Sequence, residues 1–190
     1  MLALVLDLDG VIRHFDPADV GDVERRHGLE AGSLLRTAFE PELLVPATTG
    51  ELSRPEWAAA VGDRLGAPQA AAEWESLGAT VDWEVIEIVR LLRAAGTPVA
   101  VLTNGTSGIA EELQQLGIAD EFDTVFNSYD IGFAKPDHRV FHHVLDRLRV
   151  PPHEMCYLDD TLGHVTSALE LRIDARHYSG IATLKDAIAS

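Results

Sequence analysis

Short apolar runs that stop on polar residues alternate along this chain with longer stretches whose apolar positions recur at helical spacing. Residues 2–6 are Leu, Ala and Val without interruption and meet Asp7, Asp9 and Gly10, which predicts a buried strand running into a tight turn. Residues 98–102 form a second run, behind a helical stretch over 82–95 whose Gly96 stands where a C-cap belongs. Residues 124–126 are a weaker strand candidate, 155–158 a fourth that again ends on paired carboxylates, and 173–178 a fifth. Between them, 109–116 carries Glu111 and Glu112 in its first turn and Gly117 just past its end, as the helix dipole favours. Val140, Phe141, Val144, Leu145 and Leu148 make one apolar stripe behind Pro136, read as a first-turn proline. This alternation predicts an α/β fold: a Rossmann-like parallel sheet sandwiched by helices, with right-handed crossovers.

One block departs from the alternation. Between residues 15 and 80 no strand pattern stands out, and helical stretches over 17–27, 33–39, 54–65 and 68–76 are separated by Gly and Pro. Inserted behind the first strand, this block predicts an all-helical cap subdomain (15–80) over a core formed by residues 1–14 and 81–190. Within it, Val45-Pro46-Ala47-Thr48-Thr49-Gly50 reads as a loop reaching over the strand ends.

Composition narrows the function classes. At 190 residues with 46% hydrophobic and 24% charged types, the chain suits one domain carrying a modest insertion. Fifteen Lys and Arg against 31 Asp and Glu give a net charge of −16, which repels nucleic-acid backbones and anionic membranes. An anionic substrate therefore needs local positive charge, a metal ion or a placed Lys. The single Cys156 excludes an internal disulfide framework and a Cys-rich zinc module, and its place in a strand pattern reads as an inert buried thiol. The apolar start meets Asp7 before a secretory core could form and has no basic flank, so a cytoplasmic protein is expected. No GxGxxG, Walker-type loop or GxSxG elbow is present.

Ligands of open α/β sheets bind beyond the carboxyl ends of the strands. The polar residues at those ends are Asp7 and Asp9, Thr103 and Asn104, and Asp159 and Asp160, with Lys135 in the loop before Pro136. If the first strand continues, Asp7 and Asp9 point the same way, roughly 6–7 Å apart. Clustered carboxylates call for a cation, and oxygen donors with room for water suit Mg²⁺. Such an ion offsets the repulsion between an attacking carboxylate and an anionic phosphate. Lys135 adds positive charge, and Thr103 and the amide of Asn104 are candidate holders of phosphate oxygens.

Asp7-Leu8-Asp9-Gly10-Val11, Leu102-Thr103-Asn104-Gly105, Lys135-Pro136-Asp137 and Tyr157-Leu158-Asp159-Asp160 resemble the four ordered motifs of the haloacid dehalogenase (HAD) superfamily. The resemblance covers essentially the whole chain and is strongest toward small bacterial phosphatases of sugar phosphates and related metabolites. It implies a Mg²⁺-dependent phosphatase of a small phosphorylated metabolite. Asp7 is then nucleophile and metal ligand, and Asp9 general acid/base with its carbonyl on the metal. Thr103, the Asn104 backbone and Lys135 take the phosphoryl group, Asp160 is a direct metal ligand, and Asp159 supports the metal through water. The dehalogenating branch lacks the second aspartate of the first motif, so Asp9 favours phosphoryl transfer. The resemblance departs at His164, where related chains often carry Asn or Asp.

The alternatives are a phosphomutase of the same superfamily or a catalytically silent HAD-like binding protein. The mutase needs cap cations aimed at the cleft, for which Arg25, Arg26, Arg36, Arg54 and Arg64 are the candidates, and the silent reading rests on His164. A response-regulator receiver combines similar residues in a different order. Arg13 and His14 read as cleft-mouth contacts or solvated loop residues, His138 and His142 as a polar helix face, and Trp57, Trp74 and Trp83 as core packing.

Overall fold

Residue-by-residue alternation within the apolar runs decides how the sheet is covered. The computed structural model describes residues 1–189. Strands β1 (Ala3–Leu6), β4 (Val99–Thr103), β5 (Thr124–Asn127), β6 (Met155–Asp159) and β7 (Asp174–His177) form one parallel sheet in the order β5-β4-β1-β6-β7. Leu4, Leu6, Val99, Val101, Cys156 and Leu158 face one side, against α6 (Trp83–Ala94), α7 (Ile109–Gln115) and α11 (Ile181–Ala189). Val5, Ala100, Leu102, Met155 and Tyr157 face the other, against α9 (His138–Leu148) and α10 (Leu162–Glu170). Successive side chains of a strand point to opposite faces, so a sheet covered on both sides needs uninterrupted apolar runs.

The register aligns the strand ends. Leu6 pairs with Val101 on one side and Leu158 on the other, so the C-terminal ends of β1, β4 and β6 share one edge. Asp7 continues that register by one step, its N–H donating to the Leu158 carbonyl at 2.9 Å.

Five helices occupy the insertion: α1 (Pro17–Arg26), α2 (Ser33–Ala38), α3 (Pro41–Thr48), α4 (Arg54–Leu65) and α5 (Pro68–Glu75). They have a core of their own, with Val23, Leu34, Ala47, Val61 and Ala70 buried around Trp57. Trp57 meets Trp74 edge-on at 5.1 Å and donates its Nε1–H to the Ala38 carbonyl at 3.1 Å. The α2 N-terminus has no side-chain cap of its own; buried Glu24 of α1 accepts from the N–H groups of Gly32 and Leu34 instead. Ser53 and Glu56 close a capping box on α4.

Several expectations from the sequence are corrected. Residues 45–48 are the end of α3, not loop, although Pro46 lies inside the helix and has no N–H to donate; beyond the helix end the Pro46 carbonyl accepts from the Glu51 and Leu52 N–H groups. A two-stranded antiparallel ribbon, β2 (Arg13–His14) with β3 (Thr80–Val81), ties the two ends of the insertion together where no strand was expected. Pro136 lies outside α9, which is capped by Asp137, and the Lys135–Pro136 peptide is cis. Trp83 is 51% exposed rather than packed. A short helix, α8 (Ser128–Ile131), follows β5 directly, and α8, α10 and α11 had no counterpart in the sequence reading. No helix among the described residues is long and apolar enough to cross a membrane.

Candidate active site

Asp7 is held at the end of β1 with its side chain 9% exposed. Its Oδ1 accepts from the Leu8 N–H at 2.7 Å and lies 2.8 Å from Lys135 Nζ. The same ammonium donates to Asp159 Oδ2 at 2.8 Å and to the Leu102 carbonyl at 2.9 Å. All three Lys135 N–H groups are therefore used by the protein, and two buried carboxylates share one buried cation.

Burial dominates the ionisation of Asp7 and, opposed by Lys135, pushes its carboxyl up to about 7. Asp159 goes the other way: burial opposes its charge, but His164 and Lys135 hold its carboxyl well below the usual range. Asp159 accepts from Tyr157 Oη and from the Thr161 N–H at 2.7 Å, and lies 3.0 Å from His164 Nδ1. Burial lifts the Tyr157 hydroxyl well above its ordinary value, so it stays a donor. Asp7, Asp159 and His164 bring ligand atoms within 4.8 Å of one another, but Lys135 already supplies the cation between the two aspartates.

The Asp9 and Asp160 carboxylates bond to Arg13 and Thr161 and, among the described residues, take no hydrogen bond from that buried cluster. Gly10 has φ +82°, a left-handed turn that needs glycine, and a side chain there would run into the Asp160 carboxylate. The Asp160 carboxylate thus rests against the backbone that follows Asp9. The strand has ended by then, and Asp9 turns toward Arg13, whose Nε donates to Asp9 Oδ1 at 2.5 Å. Arg13 is buried rather than solvated, and also pairs with Glu112 of α7. Glu112 in turn pairs with Arg54 at the start of α4, which reaches Glu75 as well. His14 is exposed.

Thr103 ends β4 and is 1% exposed. The Asn104 side chain clasps the Lys135 backbone, donating to its carbonyl and accepting from its N–H, each at 2.8 Å. The sequence reading missed Tyr157, Glu112 and the burial of Arg13. Tyr157 was hidden inside an apolar run, and Glu112 read only as a helix-start acid. His138 pairs with Glu170 at 2.9 Å on the outside of α9, and Cys156 is 1% exposed, its thiol pushed by burial up to about 11.

Beside Asp9 and Asn104, a cavity of about 320 Å³ opens between the sheet edge and the helical insertion.

Comparison with known proteins agrees with this architecture. The haloacid dehalogenase-like hydrolase model matches residues 1–171. Haloacid dehalogenase-like hydrolase domain-containing protein 3 of Bos taurus is 29% identical over 99 residues, covering 50% of this chain and 39% of that protein. (S)-2-haloacid dehalogenase 4A of Burkholderia cepacia is 35% identical over 79 residues, covering 40% of this chain and 33% of that protein. The chain thus spans well under half the length of these curated relatives. A HAD family enzyme of Bacteroides thetaiotaomicron has a similar fold, with a TM-score of 0.81 at 18% identity over 97% of this chain and 98% of the other. The same enzyme in complex with magnesium and inorganic phosphate gives 0.80. The family match spans nearly the whole chain and takes in every strand end described above except that of β7. The chain belongs to the haloacid dehalogenase-like hydrolase family, a family of enzymes.

Proposed function

We propose that this hydrolase cleaves the phosphate monoester of a small metabolite through an aspartyl phosphate on Asp7, with Mg²⁺ as its cation. The observation that carries the reading is the pinning of Asp7. Two donors, Leu8 N–H and Lys135 Nζ, fix Oδ1, and among the described residues Oδ2 takes no hydrogen bond, so Oδ2 is the attacking oxygen. Asp9 is the second support. Halide leaves without a proton, whereas an alkoxide needs one, and Asp9, two residues after the nucleophile, is a carboxyl placed to supply it.

The oxygen donors at this edge suit Mg²⁺. The Asp160 carboxylate lies where a Gly10 side chain would otherwise be, next to the Asp9 backbone. Asp7, the Asp9 carbonyl and Asp160 would hold the ion. When bound, it supplies positive charge against the repulsion between Asp7 and an anionic phosphoryl group.

The chain's own residues do the rest. Asp7 Oδ2 attacks phosphorus, the bond to the leaving oxygen breaks, and Asp9, which must first exchange its Arg13 contact for a proton from solvent, gives that oxygen the proton. Asp9 then takes a proton from the water that attacks phosphorus, and the bond to Asp7 breaks to release inorganic phosphate. The Thr103 hydroxyl and the Asn104 N–H hold phosphoryl oxygens, and Lys135 keeps Asp7 oriented from behind. Relatives with dehalogenase names make halide release the alternative outcome.

The test is release of phosphate from a broad panel of monoesters, with Mg²⁺ against EDTA, alongside halide release from 2-haloalkanoates. Metal-dependent phosphate release that vanishes in Asp7→Asn is the expected result. Halide release without phosphate release would overturn the reading.

A further inference from the structure

The cavity beside Asp9 is walled mainly by apolar side chains, with a minority of polar ones. Its outer wall comes from the insertion, with Leu35, Phe39, Leu44, Trp57 and Trp74, and Ile109 closes it from the core. Phe39 and Phe15 at this cavity are 55% and 47% exposed, the Phe15 ring with the Arg13 guanidinium 5.1 Å from its centroid on one face. Single exposed apolar residues are ordinary, but two aromatic rings bordering one apolar cavity next to a reactive carboxylate are the usual make-up of a ligand site.

The cations of the cavity are already paired. Arg13 is held by Asp9 and Glu112, and Arg54 by Glu112 and Glu75. No lining Lys or Arg is left to take a second phosphate, as a phosphomutase or a bisphosphate phosphatase would require. Asp16, Asp19, Thr48 and Thr106 are in the lining for a few hydroxyls, but most of a sugar's polar surface would lose water against Leu, Phe and Trp side chains. The volume, about 320 Å³, falls at the small end of ligand pockets, which run from roughly 300 to 1,000 Å³.

We propose that the alcohol released from the phosphate is apolar, a single aromatic ring or a short branched hydrocarbon, and that it sits between Trp57, Leu44 and Phe39 while the phosphoryl group lies at Asp7. This inference rests on the phosphatase reading above and puts an apolar monoester in place of the sugar phosphate that the motif resemblance implies. The insertion supplies the selectivity, and the sheet edge supplies the chemistry.

Two measurements on the full chain separate this inference from the reading beneath it. The first is kcat/KM with Mg²⁺ for benzyl phosphate and a five-carbon prenyl phosphate against glycerol phosphate, a pentose phosphate and a hexose phosphate. A preference of about 10-fold or more for the apolar esters is expected, since even one methylene in an apolar pocket is worth on the order of 10-fold. Phe39→Ser, at an exposed position that leaves the insertion core intact, should shrink that preference several-fold. The second is tryptophan fluorescence of Asp7→Asn titrated with the same compounds, which reads occupancy beside Trp57 and Trp74 without turnover. Benzyl phosphate should change the emission at concentrations where the hexose phosphate does not. Metal-dependent hydrolysis that favours the sugar phosphates would overturn the apolar assignment and leave the phosphatase reading standing. Fluorescence response to benzyl phosphate without hydrolysis of any monoester would support the apolar pocket and overturn the phosphatase reading.

Discussion

The Asn104 carboxamide clasps the Lys135 backbone at both of its polar groups, with two hydrogen bonds of 2.8 Å. The clasp joins the end of β4 to the loop that carries the buried ammonium, so the charge behind Asp7 is placed by a residue that never touches it. Asn104→Ala removes both bonds and leaves two backbone groups short of partners. A loss of about 1–3 kcal/mol in urea unfolding is expected, together with a lower kcat, because Lys135 no longer holds Asp7 in one orientation. Unchanged stability and unchanged kcat would show that the loop is held elsewhere.

Lys135→Met is the harsher change. It leaves Asp7 and Asp159 buried and facing each other without a cation, and breaking a buried ion pair from one side costs about 3–5 kcal/mol. Adding Asp159→Asn should recover part of that loss, which a double-mutant cycle by urea unfolding measures. Additive effects of the two changes would contradict the shared-cation arrangement.

The pH dependence of stability follows from the opposite shifts of the two aspartates. Asp7 is raised from 3.8 to about 7, so the folded metal-free protein keeps a proton that the unfolded chain has already lost. Its contribution is fully present below about 3.8 and is lost as pH rises toward 7. Asp159 is lowered, so its contribution is present above its unfolded value and is lost as pH falls in acid. Urea midpoints in EDTA should therefore fall between pH 4 and 7 in the wild type, and Asp7→Asn should flatten that slope. An unaltered slope in the variant would place the titration elsewhere.

Two donor sets compete for the cation, and one substitution separates them. Asp160 is exposed, so Asp160→Ala should change metal-free stability by less than about 0.5 kcal/mol. It should also abolish most of the rise in Tm that Mg²⁺ gives the wild type. A full Mg²⁺ response in this variant, lost instead in His164→Ala, would move the ion to the Asp7, Asp159 and His164 group.

Cys156 offers a test of the packed sheet. Its thiol is 1% exposed and pushed up to about 11, so near neutral pH it should react with a disulfide reagent only at the rate of unfolding. Rapid stoichiometric labelling of the native protein would contradict the covered face of β6.

The sheet was legible because both its faces are covered: Leu4, Val5 and Leu6 alike had to be apolar, and the run stops where the chain reaches the reactive edge. Asp7 and Thr103 were legible for the same reason, as polar residues at the ends of such runs, and Lys135 as the cation in the loop before Pro136. What the sequence concealed depends on side-chain direction and on partners distant along the chain. Arg13 finds Glu112 across 99 positions, and the Asn104 amide turns to the Lys135 backbone instead of the substrate side. Pro46 and the Thr48-Thr49-Gly50 run made α3 look like a loop, although the helix continues through the proline for its last turn. In α10, exposed Leu162 and Leu169 blur the apolar stripe that Val165 and Ala168 carry.

The central claim is that Asp7 is the nucleophile, and acid-quenched turnover with Mg²⁺ and a reactive aryl phosphate tests it most directly. Peptide mass analysis after the quench should find one phosphoryl group on the peptide carrying Asp7, none in Asp7→Asn, and none in EDTA. Turnover with no phosphoryl group on that peptide, or with the group on another residue, would contradict the account.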